Sequence, residues 1–181
     1  MEILLIRHTQ PAIEAGICYG QSDIPLAATA AADIAATLAN IPTCDVVHSS
    51  SATRCEVLAR ALAARDRCPL KFAPALLELN FGDWERQSWG TIPRELSDLW
   101  AEDTWVCSPP NGENERDLWS RVSHWFEHDF QPRVGRQAVI AHGGSLRILR
   151  CLALGLAPEQ RWAQQISFGE VVALRMDSIR S

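Results

Sequence analysis

The sequence predicts an α/β fold, a three-layer sandwich in which helices cover both faces of a mostly parallel sheet. Three observations point there. Short runs at residues 3–6, 45–48 and 138–141 read as buried strands. Segments of helical character lie between and after them. The chain has 181 residues with no internal repeat and no linker, the size of one domain.

Ile3 to Ile6 is continuously apolar and stops at Arg7-His8, as a central strand would. Residues 9–26 hold two Gly and two Pro and read as a loop. Leu26 to Leu38 is alanine-rich and predicts a helix. Asp45 to His48 is a second strand, followed by Ser49-Ser50-Ser51 as an N-cap cluster and a helix over 52–64. Residues 70–79 alternate weakly and predict an extended segment ending near Glu78. Residues 80–112 are irregular and rich in Trp, Pro and Gly, with one helix near 93–101. We read them as a lid-like insertion in a single domain spanning 1–181. Over 113–130 a helix is predicted, with Leu118, Trp119, Val122, Trp125 and Phe126 on one face. Ala138 to Ala141 is a further strand, ended by His142-Gly143-Gly144, with Ser145 expected to cap a helix reaching Leu154. Val171 to Met176 predicts the last strand.

Composition narrows the function classes. Hydrophobic residues make up 47% and charged residues 22%, ordinary globular material. With 17 Lys and Arg against 22 Asp and Glu, the net charge is −5, which disfavours nucleic acid and anionic membranes as partners. The six cysteines form no C-x-x-C pair and suggest reduced thiols in a cytoplasmic protein. The first residues lack a basic leader region, and no apolar run is long enough for a membrane span. Oligomeric state has no signature in the sequence.

Four separated pieces carry chemistry. They are Arg7-His8 after the first strand, Arg54 at the start of a helix, Glu78 before the irregular segment, and His142-Gly143-Gly144 after a later strand. In open α/β sheets ligands bind at the carboxyl ends of strands, where Arg7-His8 and His142-Gly143 both stand. Arginine forks suit phosphate. Two guanidinium charges beside an imidazole favour its neutral, nucleophilic form. The glycines allow close backbone approach at a helix N-terminus, and Glu78 fits a general acid and base.

These residues occur within longer matching runs: Leu4-Leu5-Ile6-Arg7-His8-Thr9, residues 20–26, Ser50 to Cys55, residues 77–85, and Val139 to Gly144. In that order the chain resembles the histidine phosphatase (phosphoglycerate mutase-like) superfamily. The resemblance implies a phosphomonoesterase with His8 as the phosphorylated nucleophile. Arg7, Arg54 and His142 would clamp the phosphoryl group, Glu78 would handle the leaving-group proton, and Gly143 would offer a backbone donor. It further implies substrate contacts at Ser22 and Gln21. No metal or cofactor is implied, and the partner would be a small phosphorylated metabolite. Residues 16–26 and 77–84 resemble the branch that includes α-ribazole phosphatases, whose substrate ring would stack on Phe81 or on a lid tryptophan such as Trp84. Two positions depart from the family pattern: Thr9 replaces a glycine, and Glu14 replaces an asparagine, with Gln10 or Gln21 as candidate substitutes.

Other readings carry less. His124-Trp-Phe-Glu-His128 matches an inverted zinc-protease pattern, but its apolar residues belong to a helix face toward the core. Ser145 lacks the glycine two residues on that a nucleophile elbow needs. Within the family a phosphoglycerate mutase or a broad sugar or nucleotide phosphatase is the alternative. Outside enzymes the alternative is a phospho-ligand binding module, which the complete set of five core residues disfavours.

Overall fold

The computed structural model describes residues 1–131 and 135–176; the remaining parts of the expected 1–181 domain lie outside the described residues. Five strands form one sheet: β1 (Glu2–Arg7), β2 (Val46–Ser49), β3 (Leu70–Phe72), β4 (Arg136–Ala141) and β5 (Val171–Arg175), in the order β3-β2-β4-β1-β5. All neighbours are parallel except the edge pair β1–β5. Five α-helices accompany them: α1 (Ala30–Ala39), α2 (Thr53–Asp66), α3 (Arg94–Glu102), α4 (Glu115–His124) and α5 (Gly143–Leu154).

The continuous apolar strands are explained by burial on both faces. Ile3 and Leu5 of β1, with Val139 and Ala141 of β4, pack against Leu118 and Val122 of α4 and Leu146 and Leu149 of α5. The alternate residues Leu4, Ile6, Ala138 and Ile140 pack on the other face against Cys55, Leu58, Ala59 and Leu62 of α2, with α1 contributing Ile34 and Leu38. The three-layer expectation therefore holds. No helix among the described residues is long and apolar enough to cross a membrane.

Tertiary contacts correct several element boundaries. The first helix starts at Ala30, not Leu26. Leu26 bridges to Pro11 and the Ala27 amide donates to the Gln10 carbonyl, so these residues are held in an extended pairing. The N-cap of α2 is Ala52, after the serine cluster. The extended segment after residue 70 is strand only to Phe72, and Pro74–Leu76 forms a 3₁₀ turn. The helix expected to run through Phe130 ends its α-helical part at His124 and continues as a π-turn over Trp125–Asp129. That wider turn, closed by the Phe130 amide on the Trp125 carbonyl at 2.8 Å, lets both aromatic rings bury against His48. His124 and His128 lie exposed on it, ring centroids 4.4 Å apart.

Candidate active site

The parallel register of β1 and β4 pairs Arg7 with Ala141, and the His8 amide donates to the Ala141 carbonyl at 3.1 Å. His8 and His142 therefore leave adjacent strand ends together. Their rings meet edge to face with centroids 5.1 Å apart, and both are almost fully buried. Arg7, His8, Arg54, Glu78, His142 and Gly143 all line one cavity of ≈ 350 Å³ at the carboxyl edge of the sheet.

The His8 ring is oriented by its own neighbour. Its Nδ1 lies 2.8 Å from the Thr9 carbonyl oxygen, which can only accept, so Nδ1 carries the proton and Nε2 the free lone pair. Thr9 takes this part through its backbone and needs no positive φ, so glycine is not required there. Burial, opposed by the Thr9 bond and reinforced by Arg54 and Arg7, pulls the His8 pKa down to about 3. Burial, then Arg54, His8 and Arg7, holds His142 well below its usual range. His142 Nε2 lies 2.9 Å from the Ser50 hydroxyl, just past β2.

The two guanidiniums are held by carbonyls rather than carboxylates. Arg7 donates to the Ile166 carbonyl at 2.8 Å and lies over the Phe168 ring at 3.9 Å. Arg54, from the first turn of α2, donates to the carbonyls of Ser22 at 2.9 Å and of Gly20. Carbonyl partners orient a guanidinium without cancelling its charge. Each arginine also keeps a buried Nε that has no partner among the described residues.

Glu78 reaches the cavity from the segment after the 3₁₀ turn. Arg121 of α4 fixes that segment by donating to the carbonyls of Ala75, Leu77 and Glu78 at 2.7–2.8 Å. The Glu78 carboxylate accepts the amides of Leu79 at 2.9 Å and Gly144 at 3.0 Å, which ties it to the N-terminus of α5. A Cβ at Gly144 would stand 2.1 Å from Glu78 Oε1, so any other residue here would push the Glu78 carboxylate out of place; at Gly143 a Cβ meets only ordinary contacts. The helix begins at Gly143 with His142 as N-cap, so Ser145 is its third residue and not the expected cap. Its hydroxyl accepts from the His142 amide at 3.3 Å.

Other sequence-predicted residues lie around this cavity in different ways. Phe81 lines it, and so does Trp100 of α3. Trp84 sits behind the wall, buried with Cys18 and Ile92, and does not line the cavity. Neither Ser22 nor Gln21 lines it: the Ser22 carbonyl serves Arg54, and the Gln21 amide group donates to the Glu78 carbonyl at 3.0 Å. Glu14 is exposed, and Gln10 borders a separate cavity, so neither lines the cavity with His8.

Several residues with parts here escaped the sequence. Tyr19, Arg147 and Trp162 line the cavity. Tyr19 is the sole tyrosine and stands beside a matching run, a signal that was available. Glu85 accepts four backbone amides, from Gly20, Gln21, Ser22 and Phe81, at 2.8–3.1 Å. It thereby fixes the loop whose carbonyls hold Arg54. An isolated glutamate in a sequence says nothing of four amides, three of them more than sixty residues away. Among the described residues no group of three or more potential metal ligands occurs.

The buried neutral histidines fix a pH response. The unfolded chain takes up protons near pH 6.5, whereas folded His8 does not until about 3. Their contribution to stability is therefore complete above pH 6.5 and falls as pH drops toward 3. Urea unfolding should give a lower free energy at pH 5 than at pH 7.5, and ring ¹⁵N shifts of His8 should show no protonation between pH 5 and 8.

Comparison with known proteins agrees with this arrangement. The profile of the histidine phosphatase superfamily (branch 1) matches residues 3–180. The adenosylcobalamin/alpha-ribazole phosphatase of Escherichia coli K12 is 29% identical, over 93% of this chain and 87% of that protein. A 2,3-bisphosphoglycerate-dependent phosphoglycerate mutase of Bartonella henselae is 30% identical, over 74% of this chain and 69% of the relative. The crystal structure of the alpha-ribazole phosphatase from Shigella flexneri superposes with a TM-score of 0.86 at 23% identity, covering 98% and 92% of the two chains. The chain belongs to branch 1 of the histidine phosphatase superfamily and is a phosphomonoesterase of that family.

Proposed function

We propose that the protein hydrolyses phosphate monoesters through a covalent phosphohistidine at His8, and that its substrate is α-ribazole 5′-phosphate. The observation that carries the first part is a neutral, tautomer-fixed imidazole between two guanidiniums, Arg54 buried and Arg7 half-buried, whose charge no carboxylate among the described residues cancels. In the first step the Nε2 lone pair of His8 bonds to phosphorus as the ester P–O bond breaks. Glu78 delivers a proton to the departing oxygen. The Thr9 carbonyl accepts from Nδ1–H while the ring carries the added positive charge. Arg7, Arg54 and His142 surround the phosphoryl oxygens, and the free Nε donors of the arginines take up part of their charge. In the second step Glu78 takes a proton from water, the water oxygen bonds to phosphorus, and the P–N bond breaks. Phosphate leaves and neutral His8 is restored.

The substrate reading draws on the cavity and on the relatives. Phe81, Trp100 and Trp162 give the cavity aromatic surface suited to a flat nucleoside-like ring. The E. coli relative aligns over nearly all of this chain, whereas the mutase relative aligns over a shorter part of it. Residues 80–112, which supply Phe81 and Trp100, would act as a lid over the leaving group.

Rapid quench with labelled substrate should trap an acid-labile, base-stable phosphoenzyme, absent in His8→Ala, whose turnover should drop by about three orders of magnitude or more. Wild-type-like turnover by that variant would end the reading. On a panel with 3-phosphoglycerate, a nucleoside monophosphate and a phosphoserine peptide, α-ribazole 5′-phosphate should have the highest kcat/KM by at least about tenfold, equivalent to about 1.4 kcal/mol. A smaller margin removes the substrate and leaves the class. Glu78→Gln should impair an alkyl phosphate at least about tenfold more than p-nitrophenyl phosphate, whose leaving group needs no proton. Equal losses on the two would assign Glu78 to structure.

A further inference from the structure

Beyond the residues assigned to the phosphate, the same cavity is lined by Trp100, Glu115, Arg147, Trp162 and Gln165. Arg147 lies on α5 four residues after Gly143, one turn further along the same helix face, an axial offset of about 6 Å. Its guanidinium lies 3.9 Å from the Trp162 ring centroid, which fixes its plane. Its only contact with a carboxylate among the described residues is a long ion pair, Nη2 to Glu115 Oε1 at 3.9 Å, while the other oxygen, Glu115 Oε2, accepts from Arg161 and from the Thr104 hydroxyl at 2.9 Å. Arg147 makes no hydrogen bond to another described residue, and its Nε is buried. Trp100 lines the same cavity, and its indole Nε1–H is buried and likewise has no partner among the described residues. The Trp100 ring is immobilised by Phe81, Trp84 and Trp89, with centroids 5.8–5.9 Å away. Buried donors are rarely left unpaired in folded proteins, and two of them on different elements, both in residues that line one cavity, point to a ligand.

We propose that Arg147 and Trp100 form a second subsite that takes a hydrogen-bond acceptor on a flat ring of the leaving group. The subsite would read the body of the substrate while the arginine clamp reads the phosphate. The wall is rich in aromatic faces and offers N–H groups, so the matching group is a heterocycle with an acceptor atom, not an alkyl chain. Burial lowers the Arg147 pKa from its ordinary value against the opposing pull of Glu78 and Glu115. This inference rests on the phosphatase reading above.

The test compares Arg147→Met, which keeps most of the stem, and Trp100→Phe, which keeps an aromatic ring, with the wild-type protein. Substrates are α-ribazole 5′-phosphate, phenyl phosphate, which lacks an acceptor on its ring, and 3-phosphoglycerate. Each variant should lose at least about tenfold more kcat/KM on α-ribazole 5′-phosphate than on phenyl phosphate, mainly through KM, and Arg147→Lys should recover part of the loss. Equal losses on these two substrates, or none, would overturn the subsite. A loss confined to 3-phosphoglycerate would assign Arg147 to a carboxylate and overturn the ring. Trapping the phosphoenzyme from phenyl phosphate in the same variants separates the two readings. If wild type forms none, the phosphohistidine mechanism fails; if all form it without discrimination between substrates, only the subsite fails.

Discussion

Everything at the candidate site depends on the parallel pairing of β1 with β4. A parallel ladder brings equivalent strand ends to one edge, so the residues that follow both strands emerge side by side. Here the register makes Arg7 the partner of Ala141, and the next residue of each strand is a histidine. A slip of one residue would exchange the two faces of β1 and leave Ile3 and Leu5 on the wrong side of the sheet. The apolar packing that stabilises the layers is therefore the same constraint that sets the distance between His8 and His142.

Around that pair the protein holds positive charge, buried at Arg54 and half-buried at Arg7, without pairing it to a carboxylate among the described residues. Arg7 and Arg54 are oriented by carbonyl oxygens, and those carbonyls are in turn fixed at a distance. Glu85 gathers the amides of Gly20, Gln21 and Ser22, which presents the Gly20 and Ser22 carbonyls to Arg54. Arg121 gathers three carbonyls of residues 75–78, which presents Glu78 to Gly144. Glu85 and Arg121 thus work on the backbone rather than on the cavity itself. Beside His8 and His142 stand two guanidiniums that no carboxylate among the described residues pairs, a field that suits an oxyanion.

Much of this was legible in the chain. Strands buried on both faces announce themselves as unbroken apolar runs, and Arg7-His8 and His142-Gly143 stand visibly at their ends. Helix starts were less legible. Leu26 and Ala27 have good helical neighbours but are taken by pairing with residues 10 and 11. Ser145 has the chemistry of an N-cap, yet the helix begins two residues earlier because the Gly143–Gly144 backbone turns directly out of β4. Trp84 and Trp100 look equivalent as tryptophans in an irregular segment; only packing sends one into the wall and the other to its surface.

The sequence by itself determined the layer architecture, because hydrophobic periodicity is a local property that survives in one dimension. It also determined the reactive residue types, since arginines, histidines and a glutamate at element ends leave few chemistries open. The tertiary structure alone decided which of them share a cavity and which proton the His8 ring carries. It alone decided that a side chain at Gly144 would displace Glu78, and that Arg147, Trp100 and Trp162 belong to the same space. Those facts depend on approaches between atoms tens of residues apart, such as Glu78 with Gly144 and Arg54 with Ser22. No local pattern encodes such approaches; they exist only once the sheet has set the strand ends side by side.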